Sequence, residues 1–561
     1  MTLSGSSPAR LLRELLDAIP LTAIHVLELG CGDGSLAAAW KRRNPQGFWT
    51  GIEADPAAAA RAGAVCDAVI CASPERMPAA VLDAALGDRR PDVLLLSCGV
   101  GNTGDPAGWV ADLASRLTTD ATVVMLVRNP AHWAAIAHLM QSLDSVPGLQ
   151  PDAIAALCRQ AGLVLDRIVA CTDDPAATAA VDALAAAAPA LGVESGQAAA
   201  RLRVPAYVTT ARRPPAAPAI RLHQHISAPA YMAARNDPPW QALASIPGVL
   251  TSSSTIPDPM RLPQTGPDDP RILVLQRMLV LDRAPWLASV AGLAARGWLL
   301  VAEWDDHPAL LPDSVRVGWD RNPWLPVTAM HAVQVSTPAL GEAFGEHNPN
   351  VAVLPNALME LPPLPSKQPG TVRVVYAALR RPDIAPLVVP ALLAAAARPE
   401  VEIVVVGDNA LGAALPTARK RVLPLQSYTN YLALLAEADV MLLPLAGHGP
   451  ELFKSPLKYI ESAARGAVCI CSPAVYADTV RHDETAIIAS TPDEWTRALD
   501  RLVSHAPLRN TMAQAAWTDV RDHHLQAHHV ARRLAWYRDL WADRSRLRQD
   551  LAARHPEMPR G

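Results

Sequence analysis

Residues 442–466 read LLPLAGHGPELFKSPLKYIESAARG, and the rest of the chain is best understood outward from them. With Val440 and Met441 before it, the stretch opens on an apolar run ending at Pro444, which predicts a buried parallel strand. A loop carrying Gly447, His448, Gly449 and Pro450 follows. Ser455 and Pro456 then predict a helix start, since serine is a favoured N-cap and proline is tolerated at the first helical position. Gly466 stands where a closing glycine belongs. A helix N-terminus at the carboxyl edge of a parallel sheet favours anions. Lys454 sits beside that terminus, and Glu461 lies about two turns in, on a face read as free of core packing. Cation, dipole and carboxylate together suit a nucleoside diphosphate with its ribose. The plain alternative is an amphipathic strand–helix unit with a solvated charged face.

The segment resembles the retaining GT-B glycosyltransferases that bind a nucleotide-sugar through a KSxxKxxE-type element. The residues that match are Lys454, Ser455, Lys458 and Glu461, followed by SAARGAVCICSPAVYADTV where the family has a small-residue helix, a strand and a loop. The resemblance implies that the helix start holds the donor diphosphate and that Glu461 holds the ribose. One position departs from the family: Phe453 stands eight residues before the glutamate, where many relatives carry a second acid, and Glu451 lies close by.

At 561 residues the chain exceeds one ordinary core, so two or three domains are expected. A formal charge of −4 argues against a nucleic-acid footprint. The eight cysteines form no CxxC pair and lie mostly in apolar runs, which reads as reduced thiols in a cytoplasmic protein, and no zinc pattern is present. No uninterrupted apolar run has the length of a membrane span, which leaves contact with a membrane surface open.

Near the start, IHVLELGCGDGSLAAAWKRRNP reads as strand, glycine-rich turn and helix, and FWTGIEADP as a second strand ending at Glu53. An acid some twenty residues after such a turn suits a ribose diol, as in a nicotinamide-type Rossmann site. The ELGCGDG form instead resembles the first motif of class I S-adenosylmethionine-dependent methyltransferases. That resemblance implies cofactor binding by Glu28, Gly30, Gly32, Gly34 and Glu53. Asn129, His132 and Trp133 resemble the PNvxHW loop of methyltransferases that travel with sugar-modifying enzymes, which makes His132 a candidate base as well as an ordinary loop histidine. Two places depart from the family: CASPER replaces the adenine-contacting acid after the third strand, and Gly101-Asn102-Thr103 replaces the Glu-His pair after the fourth.

The proline-rich RRPPAAP stretch then separates two α/β patterns. Beyond it, WLLVAEWDDHP ends a strand at Asp305, Asp306 and His307, placing an acceptor contact, or a loop cap, at a carboxyl edge. HAVQVSTPALGEAF and VAVLPNAL resemble the elements that close the acceptor-side half of GT-B enzymes, and TVRVVYAALRRP resembles their cationic loop, which implies that Arg380 and Arg381 reach the diphosphate. The expected organisation is α/β throughout: a Rossmann-like methyltransferase-like domain over 1–212, a linker at 213–218, GT-B acceptor and donor halves over 219–360 and 361–546, and a frayed tail over 547–561. The expected function is transfer of a sugar from a nucleotide-sugar to a glycan or lipid-linked acceptor, with methylation of a hydroxyl by S-adenosylmethionine and no metal. Asp306, His307 and His132 are the candidate catalytic residues. Two alternatives stand beside it. One is a glycosyltransferase with a degenerate methyltransferase-like scaffold, and the other is a methyltransferase with a non-catalytic glycan-binding module. Neither sugar, acceptor nor oligomeric state is fixed by the sequence.

Overall fold

The structure, a computed structural model, describes residues 8–559 apart from 99, 101–102, 143–147, 172–177, 215–217, 228–232, 256–259, 267, 368, 379–380 and 382. These residues divide into two compact units, 1–219 with 241–249, and 220–240 with 250–561.

The first unit is built on a seven-stranded sheet of order β3-β2-β1-β4-β5-β7-β6. Its strands are β1 His25–Leu29, β2 Phe48–Glu53, β3 Ala68–Cys71, β4 Val93–Leu96, β5 Thr122–Arg128, β6 Val164–Cys171 and β7 Ala206–Arg212. The pairs from β3 through β5 are parallel, and β7 runs antiparallel to both β5 and β6. The strand order reverses between β1 and β4, so the turn after β1 opens at a topological switch point, where ligands of open α/β sheets bind. Residues 241–249, expected in the acceptor half, group here instead. Gln241 donates to Asp17 at 3.0 Å and the Ser245 hydroxyl accepts the Leu21 N–H at 3.1 Å.

The second unit holds two Rossmann-like sheets. One runs β13-β12-β11-β10-β8-β9, from β8 Ile220–Ile226, β9 Val249–Thr255, β10 Arg271–Gln276, β11 Leu299–Trp304, β12 Ala332–Val335 and β13 Val351–Val353. The other runs β16-β15-β14-β17-β18-β19, from β14 Val372–Ala377, β15 Val401–Val406, β16 Lys420–Leu423, β17 Val440–Leu443, β18 Val468–Cys471 and β19 Ala486–Ile488. Runs such as VMLL and VCIC are buried at every position, because helices cover both faces of a parallel sheet. The order of the second sheet is that of a dinucleotide fold, with its switch point between β14 and β17.

Two local readings are corrected. Ser455 does not cap the following helix, which spans Leu457–Ala463; its hydroxyl accepts the Asn356 side-chain N–H at 2.9 Å instead. The described residues of the segment expected to fray, 547–559, are docked. The helix Arg544–Arg554 buries Leu547 and Leu551, four residues apart on one face, and Arg554 donates to the carbonyls of Thr328 and Met330 at 3.1 and 2.6 Å. Of the expected linker, residues 215–217 lie outside the described residues.

If the terminal helix is part of the core of the second unit, Leu551→Ala should lower stability by about 2–5 kcal/mol in urea unfolding. A loss under about 0.5 kcal/mol, the level of a surface change, would mean that the helix is not packed.

Candidate functional site

The loops after β14 and β17 meet at the switch point of the second of these sheets. Arg381, after β14, forms an ion pair with Glu451 on the 3₁₀ helix Gly449–Phe453 and a forked pair with Asp383 at 2.9 and 2.5 Å. The Asp383 and Glu451 partners raise its already high pKa further, so the guanidinium stays charged. Glu451 is buried and its other oxygen accepts the Ala446 N–H at 2.6 Å, which fixes the loop holding Gly447 and Gly449 at positive φ. Lys458 donates to the Ala377 carbonyl at the end of β14 at 3.0 Å. Desolvation of its ammonium, and then the charge of Lys454, lower its pKa to about 8. Arg380, expected beside Arg381, lies outside the described residues.

Glu461 departs from its sequence reading. It is 3% exposed, not on a solvated face, and its carboxylate accepts the Tyr428 hydroxyl at 2.7 Å. Burial raises its pKa to about 7, against the smaller opposing effects of Tyr428 and Arg465. The structure therefore brings Arg381, Lys458 and Glu461 to one edge, with Lys454 and Ser455 on the adjoining loop.

On the facing sheet of the same unit, Asp305 and Asp306 are clamped by Arg277, whose Nε and Nη2 donate to them at 2.7 Å each. His307 accepts the Ala309 N–H on Nδ1 at 3.2 Å and stacks on Phe453 with ring centroids 4.4 Å apart. Burial lowers its pKa, so the neutral ring dominates. Phe453, the departure from the family pattern, thus packs on the acceptor-side histidine, and its carbonyl accepts the Thr337 hydroxyl at 3.2 Å. Sequence reading missed Arg277, Arg235 and Glu303. Arg235 pairs with Glu303 and donates to the Leu354 carbonyl and to Asn356 at 2.6 and 3.1 Å. Asn356 carries the connection on to Ser455. The available signal is a charged or amide residue at or next to the end of a mostly apolar strand, as at Gln276, Glu303 and Gln334.

In the first unit, Gly30, Gly32 and Gly34 all take positive φ. A Cβ on Gly30 would lie 2.4 Å from the Cys98 sulfur, so that glycine is required by packing. A Cβ on Gly32 would meet nothing within 4 Å, which leaves room for a ligand. Glu53 accepts the N–H groups of Gly32 and Asp55 at 2.8 and 2.9 Å, placing a carboxylate beside the turn. Glu28 points inward: it is 2% exposed and accepts from Trp49 and Ser97 at 3.1 and 2.7 Å, and burial raises its pKa to about 7. His132 is enclosed at 4% exposure beside Trp133. Asn129 ties its loop to the carbonyls of Arg201 and Val204 at 3.0 and 2.7 Å. It follows β5, two strands from β1 along the same edge, or roughly 10 Å by strand spacing. Gly101 and Asn102 lie outside the described residues.

Among the described residues no cluster of three or more His, Cys, Asp or Glu side chains is arranged to hold a metal. No described helix is long and apolar enough to cross a membrane.

Residues 381–535 match a family model described as glycosyl transferase-like, which covers Arg381, Lys454, Ser455, Lys458 and Glu461. No curated protein sequence matches the chain. Among solved structures, the chain is similar to Staphylococcus aureus TarM at 9% identity, with a TM-score of 0.35, over 47% of this chain and 55% of TarM. It thus spans about half the length of that protein. It is also similar to Anabaena HepE, solved with UDP and glucose, at 13% identity and a TM-score of 0.40, over 56% of this chain and 98% of HepE. A Mesorhizobium loti S-adenosylmethionine-dependent methyltransferase is matched at 14% identity and a TM-score of 0.27, over 38% of this chain and all of that one. Similarities this low do not speak to substrate or activity.

The buried Glu461 should leave a mark on stability. From pH 4.5 to 7 the native state keeps a proton that the unfolded chain has released, so stability falls as pH rises through that window. Glu461→Gln should remove this component and be more stable than wild type above pH 7, by up to about 3 kcal/mol. Parallel stability–pH curves for the two proteins would contradict the assigned burial.

Proposed function

We propose that the second unit transfers a glycosyl group from a nucleotide-sugar to a hydroxyl acceptor. The observation that carries this is the meeting of Arg381, Lys454, Lys458 and Glu461 at the β14/β17 switch point, inside the segment that matches the glycosyl transferase-like family. Lys454, with Lys458 and Arg381, faces the donor diphosphate. As the bond from the anomeric carbon to the diphosphate oxygen breaks, negative charge grows on that oxygen, and preorganised cations there lower the barrier. Glu461 accepts from the ribose hydroxyls, and its ionised form is the better acceptor. His307 and Asp306 line the acceptor side, His307 as a neutral ring braced by Phe453 and Asp306 as a partner of Arg277.

For the first unit we propose S-adenosylmethionine binding at the turn after β1. The open space over Gly32 and the adjacent Glu53 carboxylate fit such a group. When bound, it supplies an electrophilic methyl group. Gly32 lets the backbone approach it, Glu53 holds its ribose, and Glu28 stiffens β1 from within the sheet rather than touching it. A binding-only role for this unit has one specific observation in its favour: His132, its candidate base, is enclosed.

Lys454→Ala should weaken nucleoside diphosphates far more than nucleosides, because it removes only charge compensation. Glu461→Gln should weaken both by about ten- to a hundred-fold, and should flatten the rise in wild-type affinity between pH 6 and 8. Calorimetry with uridine, guanosine and their diphosphates reads both patterns, and unchanged binding in Glu461→Gln would overturn the donor-site assignment. In the first unit, Gly32→Ala should fold with a cost of about 1–2 kcal/mol and lose S-adenosylmethionine, whereas Gly30→Ala should fail on packing alone. No heat from millimolar S-adenosylmethionine with wild type would leave the unit a scaffold.

A further inference from the structure

The acceptor-side sheet has its own switch point, between β8 and β10, and a small polar pocket lies at its carboxyl edge. Gln276, Glu303 and Gln334 stand at one register across β10, β11 and β12, so three neighbouring apolar strands each place a polar side chain in one row. Over that row sit two guanidiniums, Arg235 from the helix Ala233–Ala244 and Arg533 from the helix Val530–Ala542. Arg235 is 5% exposed and Arg533 is 2% exposed.

The hydrogen bonds around this pocket do not balance. Both oxygens of Glu303 are taken, one by Arg235 and one by the Gln334 amide. The Gln334 carbonyl accepts the Tyr537 hydroxyl at 2.7 Å, and Gln276 and Asn236 bond to each other. Among the described residues, the lining retains two fully buried side-chain atoms without a partner, Nη2 of Arg235 and Nε of Arg533. Both are donors, and no fully buried acceptor is left over. Buried polar groups are almost always satisfied, and an unpaired donor on a charged group is among the costlier exceptions. Two guanidiniums over one carboxylate also leave an excess positive charge at the pocket. The neighbouring Asp305 and Asp306 are committed to Arg277.

We infer that this pocket seats one anionic group, a carboxylate or a phosphate ester, and that on the reading proposed above the group belongs to the acceptor. A water molecule would satisfy the two donors only by sending its own hydrogens to oxygens already engaged, such as those of Glu303, and would leave the excess positive charge in place; a sugar hydroxyl would do the same with one hydrogen. A carboxylate or phosphate oxygen brings none. The enclosed space is about 10 Å³, one water-sized body, so a single terminal oxygen enters while the rest of the group lies in the mouth. Arg235 also donates to Asn356, whose amide reaches Ser455 on the donor loop, so an occupant here is linked to the donor side through two hydrogen bonds of 3.1 and 2.9 Å.

The test uses the full chain at constant ionic strength, titrated with inorganic phosphate, with glucuronate, and with glucose as the neutral counterpart. Melting temperature and calorimetric affinity are followed. Phosphate or glucuronate should raise the melting temperature and glucose should not at the same concentration. Which of the two acts identifies the anion as phosphate or carboxylate. Arg533→Gln should weaken that anion by about ten-fold or more, while its affinity for uridine and guanosine diphosphates stays that of wild type. Arg533→Lys, which keeps the charge and loses the Nε donor, should fall between and decides the matter if the glutamine variant does not fold. No anion-dependent shift in wild type, or equal shifts in wild type and both variants, would overturn the pocket. Loss of nucleoside diphosphate affinity in Arg533→Gln would overturn its assignment to the acceptor, since the pocket would then hold the donor. Failure of wild type to bind any nucleoside diphosphate would defeat the glycosyl-transfer reading and leave the anion result standing.

Discussion

A guanidinium withdrawn from water must find acceptors, and in the second unit Arg235 finds them on several elements at once. It pairs with Glu303 on β11, donates to the backbone of Leu354 and to Asn356, and through Asn356 connects to Ser455 on the donor loop. Removing one partner from such a network strands the other in the interior, which costs several kcal/mol, more than the net worth of the pair itself. At Arg381 the buried partner is the carboxylate: the partly exposed guanidinium pairs with Glu451, which ties the β14 loop to the loop that carries Lys454. Charge pairing, rather than helix propensity, thus fixes the geometry of the proposed donor and acceptor sites.

The two proposed chemistries are unequally developed in the structure. At the donor edge, several cations and a carboxylate converge within a segment that matches a glycosyl transferase-like family. At the first unit's edge, the open turn and the Glu53 carboxylate are arranged for a ligand, while the candidate base is enclosed. A fusion in which one unit extends a glycan and the other decorates it accounts for both. So does a glycosyltransferase that keeps the first unit as a binding domain.

Much of this was legible in the sequence. Uninterrupted apolar runs marked the parallel strands, and glycines at Gly30, Gly32, Gly447 and Gly466 marked turns that take positive φ. Two separate stretches of sequence, one holding Arg381 and the other Lys458 and Glu461, come together in the structure because loops at a switch point lie close together in space. Glu461 differs in its environment: helix periodicity places it on a solvated face, but the Tyr428 hydroxyl, 33 residues away, covers that face. Local sequence makes Ser455 a cap for the same reason, since its partner Asn356 is 99 residues distant. The tail was read as frayed because its charged residues hide the spacing of Leu547 and Leu551. The Arg235 network was invisible throughout, since none of its pairings is local.

The account's central claim is that the β14/β17 edge binds a nucleotide-sugar. The most direct measurement is the melting temperature of the full chain against a panel of nucleotide-sugars, since a ligand that binds only the native state stabilises it increasingly as its concentration exceeds its Kd. The account predicts that at least one member raises the melting temperature by several degrees, and that Lys454→Ala and Glu461→Gln each reduce the shift. A panel without any shift at millimolar concentration, or a shift of wild-type size in both variants, would contradict it.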